Sequence, residues 1–137
     1  MSLSLDEANQ VLNGALAKAR EMSLRVSVAV VDVGGNLVAF SRMDGAAPST
    51  ALVSQGKAKS SAMFGRTSGE VQQRVQSGSP PTTTVMTAAG GIFVPWQGAV
   101  PIWRDNILEG ACGVSGAASD QDEECARTGV IAAGLKA

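Results

Sequence analysis

The chain has 137 residues, 45% of them hydrophobic, with 11 basic and 12 acidic side chains that leave a net charge of −1. That length and apolar content fit one domain spanning residues 1–137, and the balanced charge excludes the positive field that nucleic-acid or anionic-membrane partners require. Histidine and tyrosine are both absent, which removes the commonest general base, the usual proximal haem ligand and every histidine-containing catalytic triad.

Ser4-Leu-Asp-Glu7 has capping-box form, and Leu5, Ala8, Leu12, Ala15, Leu16, Ala19 and Met22 follow it at helical spacing, which predicts an amphipathic first helix. Val26 to Val31, a turn at Gly34-Gly-Asn36, and Leu37 to Met43 read as a β-hairpin. Val26, Val28 and Val30 share one face; Ser27, Ala29 and Val31 form a flat opposite face suited to a helix or a second subunit. Pro48-Ser49 opens a helix to about Phe64, stopped by Gly65, and Thr67-Ser-Gly-Glu70 caps a shorter helix to about Gln76.

Gly78-Ser-Pro-Pro81 then ends regular structure, and a polar Thr82-Thr-Thr84 run follows. Ile92 to Trp96, Val100 to Trp103 and Ile107 to Val114 read as three strands, the last two closed by Asp105-Asn106. Ser119 is expected to cap a final helix whose first turn carries Asp120, Asp122 and Glu123 against the helix dipole. The element order αββααβββα has few long crossovers and predicts an α+β domain.

The chain has no apolar run of about 20 residues and no basic-then-apolar leader at its start, so a cytoplasmic protein without a membrane partner is expected. Cys112 alternates with apolar residues and reads as a core hydrophobe, while the acids before Cys125 make it a poor nucleophile. The carboxylates of the last helix lack ion-loop spacing, so no metal site is expected. Proton transfer would fall to carboxylates, lysines, a cysteine or water.

Arg42 and Asp44 stand where a strand passes into a loop, a usual position for groups that meet a ligand. Lys57 and Lys59 point in different directions on one helix; Lys57, among Ser54, Ala58 and Ser61, is the candidate to meet an anion or to lose its proton by burial. Arg66, beside the Thr67 cap, offers a guanidinium next to free amides. Gly113-Val-Ser-Gly-Ala117 permits close approach of a ligand or another backbone.

Several separated motifs then occur in one order: Val28-Ala-Val-Val-Asp-Val-Gly-Gly-Asn-Leu-Val38, Arg42-Met-Asp-Gly-Ala46, Lys57-Ala58 with Phe64-Gly-Arg66, Val100-Pro-Ile102, Gly113-Val-Ser-Gly-Ala117 and Gln121-Asp-Glu-Glu124. Over nearly the whole chain this pattern resembles the GlcG/HbpS-like family, which also supplies the C-terminal domain of PduO-type proteins. The resemblance implies a five-stranded antiparallel sheet flanked by helices, profilin-like or PAS-like, in even-numbered homo-oligomers. Some members bind haem. The chain departs from the family at Gly98-Ala, where paired glycines are common, and the Ala99 methyl is expected to narrow the pocket mouth.

The leading expectation is a small-molecule-binding protein that takes an anionic or aromatic catabolic metabolite at or near a subunit interface. Arg42, Lys57 and Arg66 would hold the anion, Asp44 would orient Arg42, and Gly113 and Ser115 would contact the ligand. A second reading is a cofactor-independent lyase, isomerase or hydratase with Asp44 or Lys57 as the catalytic proton-transfer group. A third is haem binding or degradation without a histidine ligand, through a methionine, cysteine or lysine or through propionates on Arg42, Lys57 or Arg66. No cofactor is required by the first two.

Overall fold

A computed structural model describes residues 2–137. Helix α1 (Leu5–Glu21) begins at the expected capping box: the Ser4 hydroxyl accepts from the Glu7 amide and the Glu7 carboxylate accepts from the Ser4 amide. The hairpin of β1 (Ser27–Asp32) and β2 (Leu37–Arg42) follows. Its turn is tied by the Asp32 carboxylate, which accepts from the amides of Gly34 and Asn36 at 2.9 Å each. Helix α2 (Ser49–Phe64) stops at Gly65, which adopts the left-handed conformation at φ 60°. Helix α3 (Ser68–Gln76) carries a second full capping box, between Thr67 and Glu70.

The next stretch differs from the sequence expectation. Pro80–Ala89 is a helix, α4, with proline in its first turn. A fixed φ and a missing N–H, which break a helix interior, suit its first turn. The threonines fit because their hydroxyls bond back along the helix, Thr87 to the Thr83 carbonyl at 3.0 Å.

The sheet has four strands, not five, and the element order is αββαααββα. The expected strand at Ile92–Trp96 does not form. Gly90 and Gly91 take φ of 57° and 54°, Pro95 has no N–H to offer a ladder, and the Val94 amide donates instead to the Gly56 carbonyl of α2 at 3.1 Å. Strands β3 (Ala99–Arg104) and β4 (Ile107–Ser115) flank the expected turn, where Asp105 and Asn106 sit at φ 49° and 64°, a pattern that matches the twist of a two-residue hairpin. Helix α5 (Ser119–Ala132) closes the chain; its cap residue is Ala118 rather than Ser119.

The strand order is β2-β1-β4-β3, every pair antiparallel. The outer edge of β3 is met by the C-terminal segment: Trp103 and Lys136 exchange two backbone hydrogen bonds, at 2.7 and 3.1 Å. One face, with Val26, Val28, Val30, Ile102, Cys112 and Val114, packs under α1 and α5. The other, with Ala29, Val31 and Ala111, receives Ala58 and Ala62 of α2. The flat small-residue face therefore takes a helix of the same chain.

Helix α2 lies unusually close to the sheet because Gly113 leaves room for its backbone. A Cβ at residue 113 would stand 2.3 Å from the Ser54 carbonyl oxygen and 2.7 Å from the Ala58 nitrogen. Gly113→Ala is expected to lower stability by about 3 kcal/mol, the upper end for an overpacked core, read as a drop in the urea midpoint at unchanged slope.

Candidate functional site

An open cleft of about 610 Å³ lies at one corner of the sheet, between the C-terminal end of α1 and the end of β2. Its apolar wall is Leu16, Leu24 and Met43, which pack on the core beneath. The Met43 sulfur is fixed there by the Val26 amide, which donates to it at 3.5 Å.

Arg20, Arg25 and Arg42 supply the basic side of the cleft, with Ser23, Ser41 and Asp44 between them. Arg20 comes from the last turn of α1, Arg25 from the lead into β1, and Arg42 from the end of β2. Arg25 is seated across the Gly45 turn, whose φ is 82°; a Cβ there would stand 2.7 Å from the Arg25 Nη1. Among the described residues none of these three guanidiniums has a carboxylate within 4 Å, Asp44 included. Three uncompensated cations beside an apolar wall make a surface suited to an amphipathic anion.

The other candidate residues sit elsewhere. Arg42 pairs with Ser27, and Ser27 with Ser115, in one cross-strand row; paired residues share a face, here that of α2, where the Ser27 and Thr50 hydroxyls bond at 2.8 Å, so Arg42 borders the cleft from the end of the edge strand β2 while Ser115 lies outside its lining. Gly113 lies under α2 with its space filled, and Ala99 is fully buried opposite it rather than at a pocket mouth. Arg66 sits past the far end of α2, about 24 Å of helix from the Arg42 end, paired with Glu70 at 3.5 Å. Glu70 thus occupies, as a built-in carboxylate, the place an anion would take at the Thr67 cap.

Lys57 is buried. Its Nζ donates to the Val114 carbonyl at 3.0 Å and to the Asp122 carboxylate at 3.1 Å, and the second oxygen of Asp122 accepts from the Ala117 amide at 3.0 Å. Burial holds the Lys57 amine below the usual lysine range, against the pull of Asp122. Burial likewise lifts the Asp122 carboxyl above the usual carboxylate range, against the pull of Lys57 and the Ala117 amide. Gly98, at φ 144°, closes over the amine: a Cβ there would stand 2.7 Å from Nζ.

The structure therefore brings Arg42 and Asp44 into the cleft and does not bring Lys57, Arg66, Gly113 or Ser115 to its lining. Arg20 and Arg25 are the cleft residues that sequence reasoning missed. Their one signal was a pair of arginines flanking Glu21-Met-Ser-Leu24 at a helix end. Asp122 was read as a dipole complement only. Among the described residues no cluster of histidine, cysteine, aspartate or glutamate has metal-ligating geometry, and no helix is long and apolar enough to cross a membrane.

Fold and cleft define an α+β domain with helices on both faces of a short antiparallel sheet and a basic pocket at one sheet corner. A family model described as "Haem degrading protein HbpS-like" matches residues 3–131, and the chain belongs to that family. Protein GlcG of Escherichia coli strain K12 is 35% identical over 113 residues, 82% of this chain and 81% of GlcG. Corrinoid adenosyltransferase PduO of Citrobacter freundii is 27% identical over 136 residues, 99% of this chain but 40% of PduO. Among solved structures, the crystal structure of a PduOC:heme complex superposes with TM-score 0.87 at 27% identity, over 98% of this chain and 97% of that one.

Removing one member of the Lys57–Asp122 pair leaves the other charge buried and unmatched. Lys57→Met and Asp122→Asn are each expected to cost about 3–5 kcal/mol, and Lys57→Met/Asp122→Leu to recover much of it. Denaturant unfolding of the three variants measures this; a cost below about 1 kcal/mol for both single changes would show an exposed pair instead.

Proposed function

We propose that the chain is a small-molecule-binding protein whose cleft holds an organic anion with an apolar or aromatic body, a catabolic carboxylate being the natural candidate. The observation that carries this is that Arg20, Arg25 and Arg42, each without a carboxylate partner among the described residues, line one cleft together with Leu16, Leu24 and Met43. The guanidiniums take the carboxylate as charge-assisted hydrogen-bond donors, and the apolar wall takes the body of the ligand. Asp44 stands exposed at the rim of the cleft.

Binding is favoured over turnover by where the two candidate proton carriers stand. Asp44 is exposed at the rim of an open cleft, and the Lys57 amine is closed off by Asp122, the Val114 carbonyl and Gly98.

2-Naphthoate and its uncharged amide test this reading by calorimetry. The acid is expected to bind at least about tenfold more tightly than the amide, and Arg20→Ala and Arg42→Ala each to weaken the acid by about tenfold, as loss of a charge-assisted bond implies. Equal binding of acid and amide, or arginine variants without effect, would overturn it.

The even-numbered homo-oligomer belongs to the same proposal. Leu52 and Met63, on the outer side of α2, are 55% and 42% exposed and stand about three turns apart on one helix face. Light scattering is expected to give an even multiple of the 13.9 kDa chain mass, reduced by Leu52→Glu.

Haem enters through the family name and through the PduOC:heme complex. The fit is divided: the arginines of the cleft suit two propionates, whereas the side chains that could ligate iron are placed badly for it.

A further inference from the structure

Iron in a bound haem is usually held by a histidine, a cysteine thiolate, a methionine or a tyrosine. Histidine and tyrosine do not occur in the chain. Cys112 and Cys125 are both fully buried in the core under α1 and α5, and burial pushes their thiols up to about 12 and about 11. Neither is a thiolate at neutral pH or in reach of a ligand in the cleft. Lys57 is sealed by Asp122 and lies outside the cleft lining. Met63 and Met86 stand on α2 and α4, elements that do not line the cleft. Met22, at the C-terminal cap of α1, packs on the core outside the lining, so among the described sulfur donors only Met43 lines the cleft, and its sulfur already accepts the Val26 amide. Asp44 adds one exposed carboxylate at the rim.

Everything else in the cleft recognises what an iron-loaded and an iron-free porphyrin have in common. Both present two carboxylates, which suit guanidiniums from three different elements, and both present a flat apolar body to Leu16, Leu24 and Met43. We infer that the cleft binds porphyrin dicarboxylates by their propionates and their apolar face, with no protein ligand to the iron, so that this chain does not discriminate haem from the metal-free ring. The inference rests on the anion-binding reading of the cleft and specifies its ligand class.

Hemin and protoporphyrin IX are titrated in parallel into the full chain, by calorimetry and by absorbance in the Soret region. The two dissociation constants are expected to agree within about threefold, and Arg20→Ala/Arg42→Ala to weaken both by at least about tenfold. The bound hemin spectrum is expected to lack the sharp band of a protein-ligated iron and to be unchanged in Met43→Leu and Asp44→Asn. Circular dichroism confirms that these variants fold.

Hemin binding at least about tenfold more tightly than protoporphyrin IX, with a ligated spectrum that collapses in Met43→Leu, Asp44→Asn or Lys57→Met, overturns the inference. Porphyrin binding that ignores the arginine changes overturns it as well, since the apolar surface alone would then be responsible. If neither porphyrin binds while 2-naphthoate does, the inference fails and the anion-binding reading stands; if none of the three binds, both fail.

Discussion

The seating of α2 depends on one buried ion pair. Most of the buried residues of this helix are small or polar: Thr50, Ser54, Gly56, Ala58, Ser60, Ser61 and Ala62, with Lys57 among them. Small side chains bury little apolar area, so such a helix gains less from water exclusion than one lined with leucine. What it gains instead is closeness, because Gly113 lets its backbone rest on the sheet. Lys57 then reaches past the C-terminal end of β4 to Asp122 of α5, a helix packed on the opposite face. The pair ties the two layers together through the end of β4, with the Val114 carbonyl and the Ala117 amide taking up its remaining hydrogen bonds. Taking two charges out of water is costly, and that cost is offset by their mutual attraction together with the hydrogen bonds to the Val114 carbonyl and from the Ala117 amide.

Rigid closure on one side leaves the adjacent corner free to be a site. The ends of β1, β2 and β4 meet at the same edge of the sheet, as the row Arg42–Ser27–Ser115 shows. On the α2 side that edge is closed by hydroxyls, Ser27 to Thr50 and Thr50 to the Ala47 carbonyl. Around the free side of β2, beside the end of α1, it is open and lined by Arg20, Arg25 and Arg42. The opposite edge handles charge differently. There Arg104 sits between Glu7 and the buried Glu109, one of whose oxygens has no partner. An arginine already shared by two carboxylates is a poor anion receptor, whereas the arginines of the cleft have no carboxylate competitor among the described residues.

Legibility in the sequence followed how local each feature is. The two capping boxes, the Gly65 stop and the Asp105-Asn106 turn are set by residues within a few positions of each other, and each stands where its residues predict. The fifth strand failed because Ile92 to Trp96 is apolar and short, and only the tertiary contact of Val94 with Gly56 decides that it lies along a helix rather than in a ladder. Helix α4 was hidden because prolines and threonines that read as coil are also compatible with a first helical turn. The cleft was half visible: Arg42 and Asp44 stand at a strand end, but Arg20 and Arg25 join them only because α1 ends beside β2. For Lys57 the sequence allowed burial but could not name the partner, since an acid in the first turn of α5 has the same appearance whether it serves the dipole or a lysine 65 positions away.

Membership of a haem-associated family and a chain without histidine are compatible once the fold and the site are separated. The parts of the sequence that carry the family pattern, such as Gly113, the Lys57-Ala58 pair and the Gln121-Asp122 turn, are those that seat α2 and α5 on the sheet. They preserve the scaffold whatever is bound. In the proposed function ligand chemistry falls to side chains around the cleft, which can change without disturbing that scaffold. A carboxylate grip and an apolar wall are independent of a metal donor: the first acts on charge at the ligand's edge, the second on its face. If the cleft binds as proposed, the absence of a histidine or tyrosine donor leaves the other two contributions in place, and its ligands would be set by shape and carboxylate position rather than by metal content.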